Sequence, residues 1–281
     1  MLARLTNWWT AIRNGPPLSA VFRRHRALSF LFFHRMDKVF FTINFNDFMC
    51  PNARASHLAA AQRWGCDYVE CTHRREPHLA PSFEKFGRVV SLRGYERYLY
   101  YDADCLISDQ APNPFDIYGY DEFVAVRDDS ERFSQRYRDL ARLVVRANWI
   151  EEMQVRFGKT CDPAVYLDRF FNGGFFLASE MHLGIFERLA QETRLLTAND
   201  FRKPGVCAEG IFGTYGWHEQ AMFNWIVQSS SSVKLVLVPE TWNIIFPDLD
   251  KPGMQAYVYH FTGLGFAPKR MMMLTWPWKK K

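Results

Sequence analysis

The 281-residue sequence lacks any apolar run near its start that is long enough to cross a bilayer. The longest there, Ala27-Leu28-Ser29-Phe30-Leu31-Phe32-Phe33, is too short, and no small-residue cleavage site follows an apolar run, so no secretory leader is expected. No cysteine pair has the CxxC spacing of a structural zinc site. Cys50, Cys66, Cys71, Cys105, Cys161 and Cys207 therefore read as reduced thiols of a cytosolic protein, with Cys66 and Cys105 in segments that read as buried strands. There is no internal repeat, low-complexity tract or long linker. Charge of one sign is also scarce: 35 Lys and Arg against 30 Asp and Glu leave a net +5. That balance suits an anionic ligand or membrane surface. Without a basic helix or an aromatic RNA-binding signature, it excludes nucleic acid as a partner.

What the chain does have is material for a core. Apolar residues make up 48% of it, including 25 Phe, 12 Tyr and 9 Trp, which argues against disorder. Residues 1–37 form a basic, amphipathic extension, broken at Gly15-Pro16-Pro17, that either packs as an accessory helix or touches a membrane. Residues 38–270 then read as a single domain, and residues 271–281 as an aromatic and basic tail.

Within the domain, strand and helix patterns alternate. Short β-rich runs at Lys38–Asn44, Asp67–Cys71, Arg97–Tyr101 and Phe123–Val126 predict four strands. Helical spacing appears at Ala53–Trp64, stopped by Gly65, and at Phe83–Leu92. Later come a helix over Ser134–Trp149, an apolar strand over Phe170–Leu177 interrupted by Gly173-Gly174, a helix over Leu183–Leu196, and strands at Val233–Val238 and Tyr257–His260. Such alternation predicts an α/β fold with a mostly parallel sheet covered by helices on both faces.

Four groups of residues carry candidate chemistry. Asp102 and Asp104 stand at the carboxyl end of a predicted strand, where open α/β sheets bind ligands. Two apart in extended chain, they point to one side and can share a hard divalent cation whose other positions take phosphate oxygens. The plain alternative is a solvated turn. Phosphatases of the haloacid dehalogenase type also place Asp-x-Asp after a strand. Their motif continues with Thr or Val two residues beyond the second Asp, where this chain has Leu106, and it lies on the first strand rather than the third. Asn172-Gly173-Gly174 marks either close approach of a sugar ring to the backbone, with the Asn amide offering donor and acceptor, or a simple β-bulge. Trp217-His218-Glu219-Gln220 offers a carboxylate beside an amide at a helix start, or merely a capped terminus. His260, before the Gly263 and Gly265 turn, is a metal ligand or a structural histidine, with Lys269 beyond it as a point charge.

Taken in order, these motifs resemble the retaining glycosyltransferase family that contains glycogenin and the bacterial lipopolysaccharide galactosyltransferases. The likeness runs from about Lys38 to Lys269: Asp-x-Asp after an aromatic strand, Phe-Asn-Gly-Gly, Glu-Gln before a helix, Pro239-x-x-Trp242-Asn243, and His-Phe-x-Gly. It implies the GT-A fold, a Rossmann-like nucleotide-diphospho-sugar transferase. It also implies that Asp102, Asp104 and His260 hold Mn2+ (or Mg2+), and that Asn44 and Asp47 lie near base and ribose. Lys85 would contact donor sugar and phosphate, Asn172 and Gly173 would line the sugar, Glu219 and Gln220 would sit beneath the reacting carbon, and Lys269 would face the diphosphate. Two departures stand out: the family usually has Asp at the Glu219 position, and its closing Lys follows the glycine sooner than Lys269 does.

The implied activity is metal-dependent transfer of a hexose from a UDP-sugar to a hydroxyl of a glycan or glycolipid, with retention of anomeric configuration, as in polysaccharide or lipopolysaccharide synthesis. An inverting transferase and a catalytically silent nucleotide-sugar or glycan-binding protein of the same fold are the alternatives. Met271 to Lys281 joins Met and Trp to three lysines, which either pack on the body or lie against an anionic membrane. The expected location is cytoplasmic, with peripheral contact on the inner face of the membrane and a lipid-linked acceptor.

Overall fold

The computed structural model describes residues 37–128, 150–158, 160–196, 219–245, 256–261 and 266–275, the side chains of 266–270 excepted. The N-terminal extension up to Met36, the helix expected over Ser134–Trp149, Cys207, Trp217, His218, the Gly263 and Gly265 turn and the end of the tail lie outside the described residues.

Six strands form the main sheet: β1 (Lys38–Ile43), β2 (Asp67–Cys71), β3 (Arg97–Tyr101), β5 (Glu122–Arg127), β6 (Phe171–Ser179) and β7 (Lys234–Val238), in the order β2-β1-β3-β6-β5-β7. β1 is parallel to both β2 and β3, and β5 to β7. β6 alone runs antiparallel, against β3 on one side and β5 on the other. The central strands are buried on both faces because their side chains alternate between two cores. Phe41, Tyr98, Tyr100, Phe123 and Phe176 join one core, and Phe40, Leu99, Tyr101, Val124 and Phe175 the other.

Helices cover the sheet, and their ends follow local chemistry. α1 (Pro51–Trp64) starts with Pro51 in its first turn and the Cys50 sulfur accepting from the Ala53 N–H. It stops at Gly65, whose φ of 60° is the left-handed cap that side chains resist. α2 (Glu84–Ser91), α3 (Pro114–Ile117), α4 (Pro163–Asp168) and α5 (Leu183–Arg194) follow. α6 (Glu219–Ser229) is buried from Glu219 through Val227, its polar Glu219, Gln220 and Asn224 included. α7 (Phe266–Thr275) ends the described chain.

Two sequence expectations change. The run Cys105–Ile107, directly after the aspartates, is itself a strand, β4. It pairs with β9 (Val258–His260), which pairs in turn with β8 (Ile244–Ile245), giving a second, three-stranded sheet. The strand after it is therefore β5. Second, Gly173-Gly174 does not interrupt β6, which runs unbroken from Phe171 to Ser179 and pairs with β3 from Phe175 onward. The glycines instead bulge away from β5: pairing jumps from Ala125 opposite Phe176 to Val126 opposite Asn172.

One α1 residue makes the fold acid-sensitive. His57 is fully buried, its Nε2 3.1 Å from the Cys105 carbonyl oxygen, and burial pushes its pKa from 6.5 down to about 3. The folded protein holds it neutral, whereas the unfolded chain protonates it below about pH 6.5. Its contribution is therefore complete above pH 6.5 and is lost as pH falls towards 3. His182 acts in the same sense, lowered to about 4 chiefly by burial and then by Arg97. Urea unfolding should show His57→Gln flattening the wild-type decline between pH 6 and 4 by about 1.4 kcal/mol per pH unit. An unchanged slope would contradict this account of His57.

Candidate functional site

The site is built where β3 ends. The Asp102 N–H donates to the Gly174 carbonyl at 3.1 Å, and the Cys105 N–H donates back to the Asp102 carbonyl at 3.1 Å. Asp102 therefore opens a tight turn whose third residue is Asp104, in place of the extended segment expected from the sequence. The turn is not simply solvated: Asp104 is buried and Asp102 only partly exposed.

The second sheet delivers the histidine. Antiparallel pairing of β4 and β9 sets His260 opposite Cys105, and the Phe261 N–H donates to the Asp104 carbonyl at 3.0 Å. His260 Nε2 then lies 3.2 Å from Asp104 Oδ1 and 3.5 Å from Asp102 Oδ2. Tyr100 donates its hydroxyl to Asp102 Oδ1. Desolvation raises the Asp102 pKa, with Lys85 and then His260 pulling it back and Asp104 pushing it up. Burial, and then the charge of Asp102, lifts Tyr100 far above its usual range, so it stays a neutral donor.

His260 Nε2 stands near both carboxylates, and neighbouring ligands of an octahedral ion at ~2.1 Å would stand ~3 Å apart. Asp102 nonetheless lies outside the tightest group of donors, which joins Asp104 and His260 to Cys105. Gly174 closes the cradle: a Cβ there would lie 2.6 Å from His260 Cε1, 2.7 Å from Asp102 Oδ2 and 2.9 Å from Asn172 Oδ1. The need for glycine is one of space. Among the described residues, the donor atoms of Asp104, Cys105 and His260 all lie within 4.8 Å of one another.

Beside the acidic turn lies a second cluster. Lys85, from α2, donates to the Gly173 carbonyl at 2.8 Å and to Glu219 Oε1 at 3.1 Å. Gln220 Oε1 accepts from the Gly173 N–H at 3.3 Å, while its Nε2 donates to Asp128 Oδ2 at 2.9 Å. Asn172 Oδ1 accepts from the Gly174 N–H at 2.7 Å and from Asn243 Nδ2 at 2.9 Å. Asn224 clamps α6 to β6 through both Phe171 backbone groups, at 2.8 and 2.9 Å. The Gly-Gly bulge is thus the hub that brings Lys85, Asn172, Glu219 and Gln220 beside Asp102 and His260.

The Lys85–Glu219 pair is deeply buried, with side chains 1% and 9% exposed. Removing one partner strands the other charge, which typically costs about 3–5 kcal/mol. Lys85→Met should lower unfolding stability by about that amount, and Lys85→Met with Glu219→Gln should recover more than half of it. A single-variant loss below about 1 kcal/mol in urea unfolding would show that the pair is not held as described.

Asn44 and Asp47 belong to a different network. Buried Asn44 donates to Glu70 Oε1 at 2.6 Å and accepts from the Met49 N–H at 2.8 Å. Asp47 pairs with Arg54 at 2.8 Å, and Arg54 also pairs with Glu70 at 2.9 Å. Asn46 and Asp47 both adopt left-handed φ, 57° and 52°, which Asn and Asp tolerate better than most residues. Lys269 falls on α7, with its side chain outside the description. Four contributors carried no assigned role in the sequence reading: Tyr100, Cys105, Asp128 and Asn243. Tyr100 and Cys105 flank the Asp-x-Asp pair in the segment singled out for the metal, and Asn243 closes Pro-x-x-Trp-Asn. Asp128 meets the site only through a contact between distant parts of the chain, which periodicity alone does not rank.

No protein-family model and no curated protein matches the chain. Among solved structures it is similar to a glycosyltransferase involved in glycosylation of the major capsid of PBCV-1, with 12% identity over 84% of this chain and 98% of that one and a TM-score of 0.52. The galactosyltransferase LgtC, solved with donor and acceptor sugar analogues, matches at 12% identity over 80% and 87%, with a TM-score of 0.41. GlyE of Streptococcus pneumoniae TIGR4 matches at 11% over 80% and 54%, with a TM-score of 0.39. The first of these, with the sheet order and strand directions above, establishes the fold: a mixed α/β fold with a mostly parallel, Rossmann-like central sheet, shared with that glycosyltransferase.

Proposed function

We propose that this protein is a metal-dependent glycosyltransferase that moves a hexose from a nucleotide-diphosphate sugar, UDP-linked, to a hydroxyl of a glycan or lipid-linked acceptor. The observation that carries the reading is the approach of both Asp102 and Asp104, in the turn after β3, to His260 of β9, beside the Lys85–Glu219–Gln220 cluster. Asp102, Asp104 and His260 would hold Mn2+ or Mg2+. When bound there, the ion neutralises charge that grows on a departing diphosphate. The likeness to a capsid glycosyltransferase of the same fold supports the class.

The chain's own residues suit binding and charge stabilisation better than covalent attack. Glu219 is held by the Lys85 ammonium. Gln220 is fixed at both ends of its amide, by Gly173 and by Asp128, and an amide is a poor nucleophile. A retained product then calls for attack on the face from which the diphosphate leaves, with the acceptor hydroxyl giving its proton to a phosphate oxygen. Asn172, oriented by Asn243 at the edge of the Gly173-Gly174 bulge, offers its amide to the hydroxyls of a sugar.

Incubation with Mn2+ and a panel of nucleotide-sugars tests the class. Release of free UDP, slow without an acceptor, is expected. Donor binding without release would favour the silent sugar-binding alternative, and NMR of the product anomer separates retention from inversion.

The acceptor side of the proposal places the protein on the cytoplasmic face of a membrane. No helix among the described residues is long and apolar enough to cross a bilayer. α7, however, leaves Met271 and Leu274 exposed, three apart on one helix face, just before the Trp276-Pro277-Trp278-Lys279-Lys280-Lys281 segment. Co-sedimentation with anionic liposomes should be lost when the chain ends before Met271, and equal binding by both forms would remove the membrane contact.

A further inference from the structure

Cys105 is the one member of the acidic centre that a hard-cation site does not need. It is fully buried in β4, directly opposite His260 in the β4–β9 register. Residues opposite each other in an antiparallel pair share a face, so the thiol and the imidazole come from one side of the small sheet. The Cys105 sulfur, the Asp104 carboxylate and the His260 imidazole present donor atoms within 4.8 Å of one another. The thiol also lies 3.8 Å from Asn243 Oδ1, the amide whose nitrogen orients Asn172. Oxygen and imidazole donors accept Mg2+ or Mn2+, whereas a thiolate selects borderline or soft ions.

We propose that Cys105 makes this centre a mixed O, N and S site that binds Zn2+ or Cd2+ through Asp104, Cys105 and His260, in competition with the oxygen-preferring ion of the transfer reaction. The proposal rests on reading Asp102, Asp104 and His260 as a metal centre. On binding, the Cys105 S–H bond breaks and a sulfur–metal bond forms, with the proton released to solvent. Bound in this mode, a thiophilic ion occupies the centre as an inhibitor of donor turnover.

The test uses full-length protein and the metals alone. Cd2+ is titrated while the ultraviolet thiolate-to-cadmium charge-transfer band is followed, and Mn2+ binding is read from the electron paramagnetic resonance signal of the free ion. Wild type should show the band saturating at one Cd2+ per chain, with displacement of bound Mn2+. Cys105→Val should lose that band and lower the ratio of Cd2+ to Mn2+ affinity by at least about tenfold. Cys105→Ala serves as the second variant should valine disturb the strand. A wild-type protein that binds Mn2+ but shows no band, or variants that keep both band and ratio, would overturn the proposal while leaving the metal centre intact. Failure to bind either ion would remove both.

Discussion

Asp104→Asn is expected to lower Mn2+-dependent donor turnover about a thousandfold, the equivalent of about 4 kcal/mol of lost electrostatic stabilisation. The carboxylate is buried, within 3.2 Å of His260 Nε2, and its backbone carbonyl is tied to the Phe261 N–H. The substitution removes charge while leaving shape and backbone contacts in place. The apo protein should be no less stable by more than about 1 kcal/mol, because the charge of Asp104 raises the pKa of its neighbour Asp102 and its removal eases that conflict. Steady-state kinetics and thermal unfolding of the same sample check both halves. A variant as active as wild type would remove Asp104 from the ligand set.

Gly174→Ala should be almost as damaging, for a steric reason. Its methyl would fall against His260, Asp102 and Asn172 at once, all nearer than carbon atoms tolerate. The ends of those side chains can swing aside, so the fold survives with an overpacking cost of about 1–3 kcal/mol. Swinging aside, however, separates two proposed metal ligands, and Mn2+ affinity should fall at least about a hundredfold. Gly173→Ala is the internal control. Its Cβ meets Lys85 Nζ at 2.9 Å but none of the three metal candidates among its nearest neighbours, so its Mn2+ affinity should stay within about threefold of wild type. Equal Mn2+ affinities for the two variants would mean that the cradle around Gly174 is not the ion's site.

The contrast between these glycines shows what the sequence could and could not reveal. β2 and β3 were legible to the residue because short runs with Tyr, Val and Leu, bounded by turns, encode strands locally. The end of α1 was legible because Gly65 does one local job. Asp102 and Asp104 were legible as a strand-end pair, but their placement depends on a turn closed by Cys105 and on Gly174 of β6, far along the chain. His260 reaches them only because β4 and β9 pair, a long-range contact that carries no periodic signal. β4 itself was missed as a strand because three residues are too few to show alternation. Lys85 and Glu219 were each picked out singly. Their burial as a pair depends on α2 and α6 meeting over the β6 bulge. Asn44 and Asp47 were legible as polar residues after β1, while the Glu70 and Arg54 groups that hold them come from β2 and α1.

The account turns on whether Asp102, Asp104 and His260 act together through one ion in holding the donor. Calorimetric titration of UDP-sugar into wild type and His260→Ala, each with Mn2+ and with a chelator, tests this most directly. The shared site predicts donor binding that requires Mn2+ in wild type and weakens at least about tenfold in His260→Ala. Donor binding of equal strength in all four titrations would contradict it.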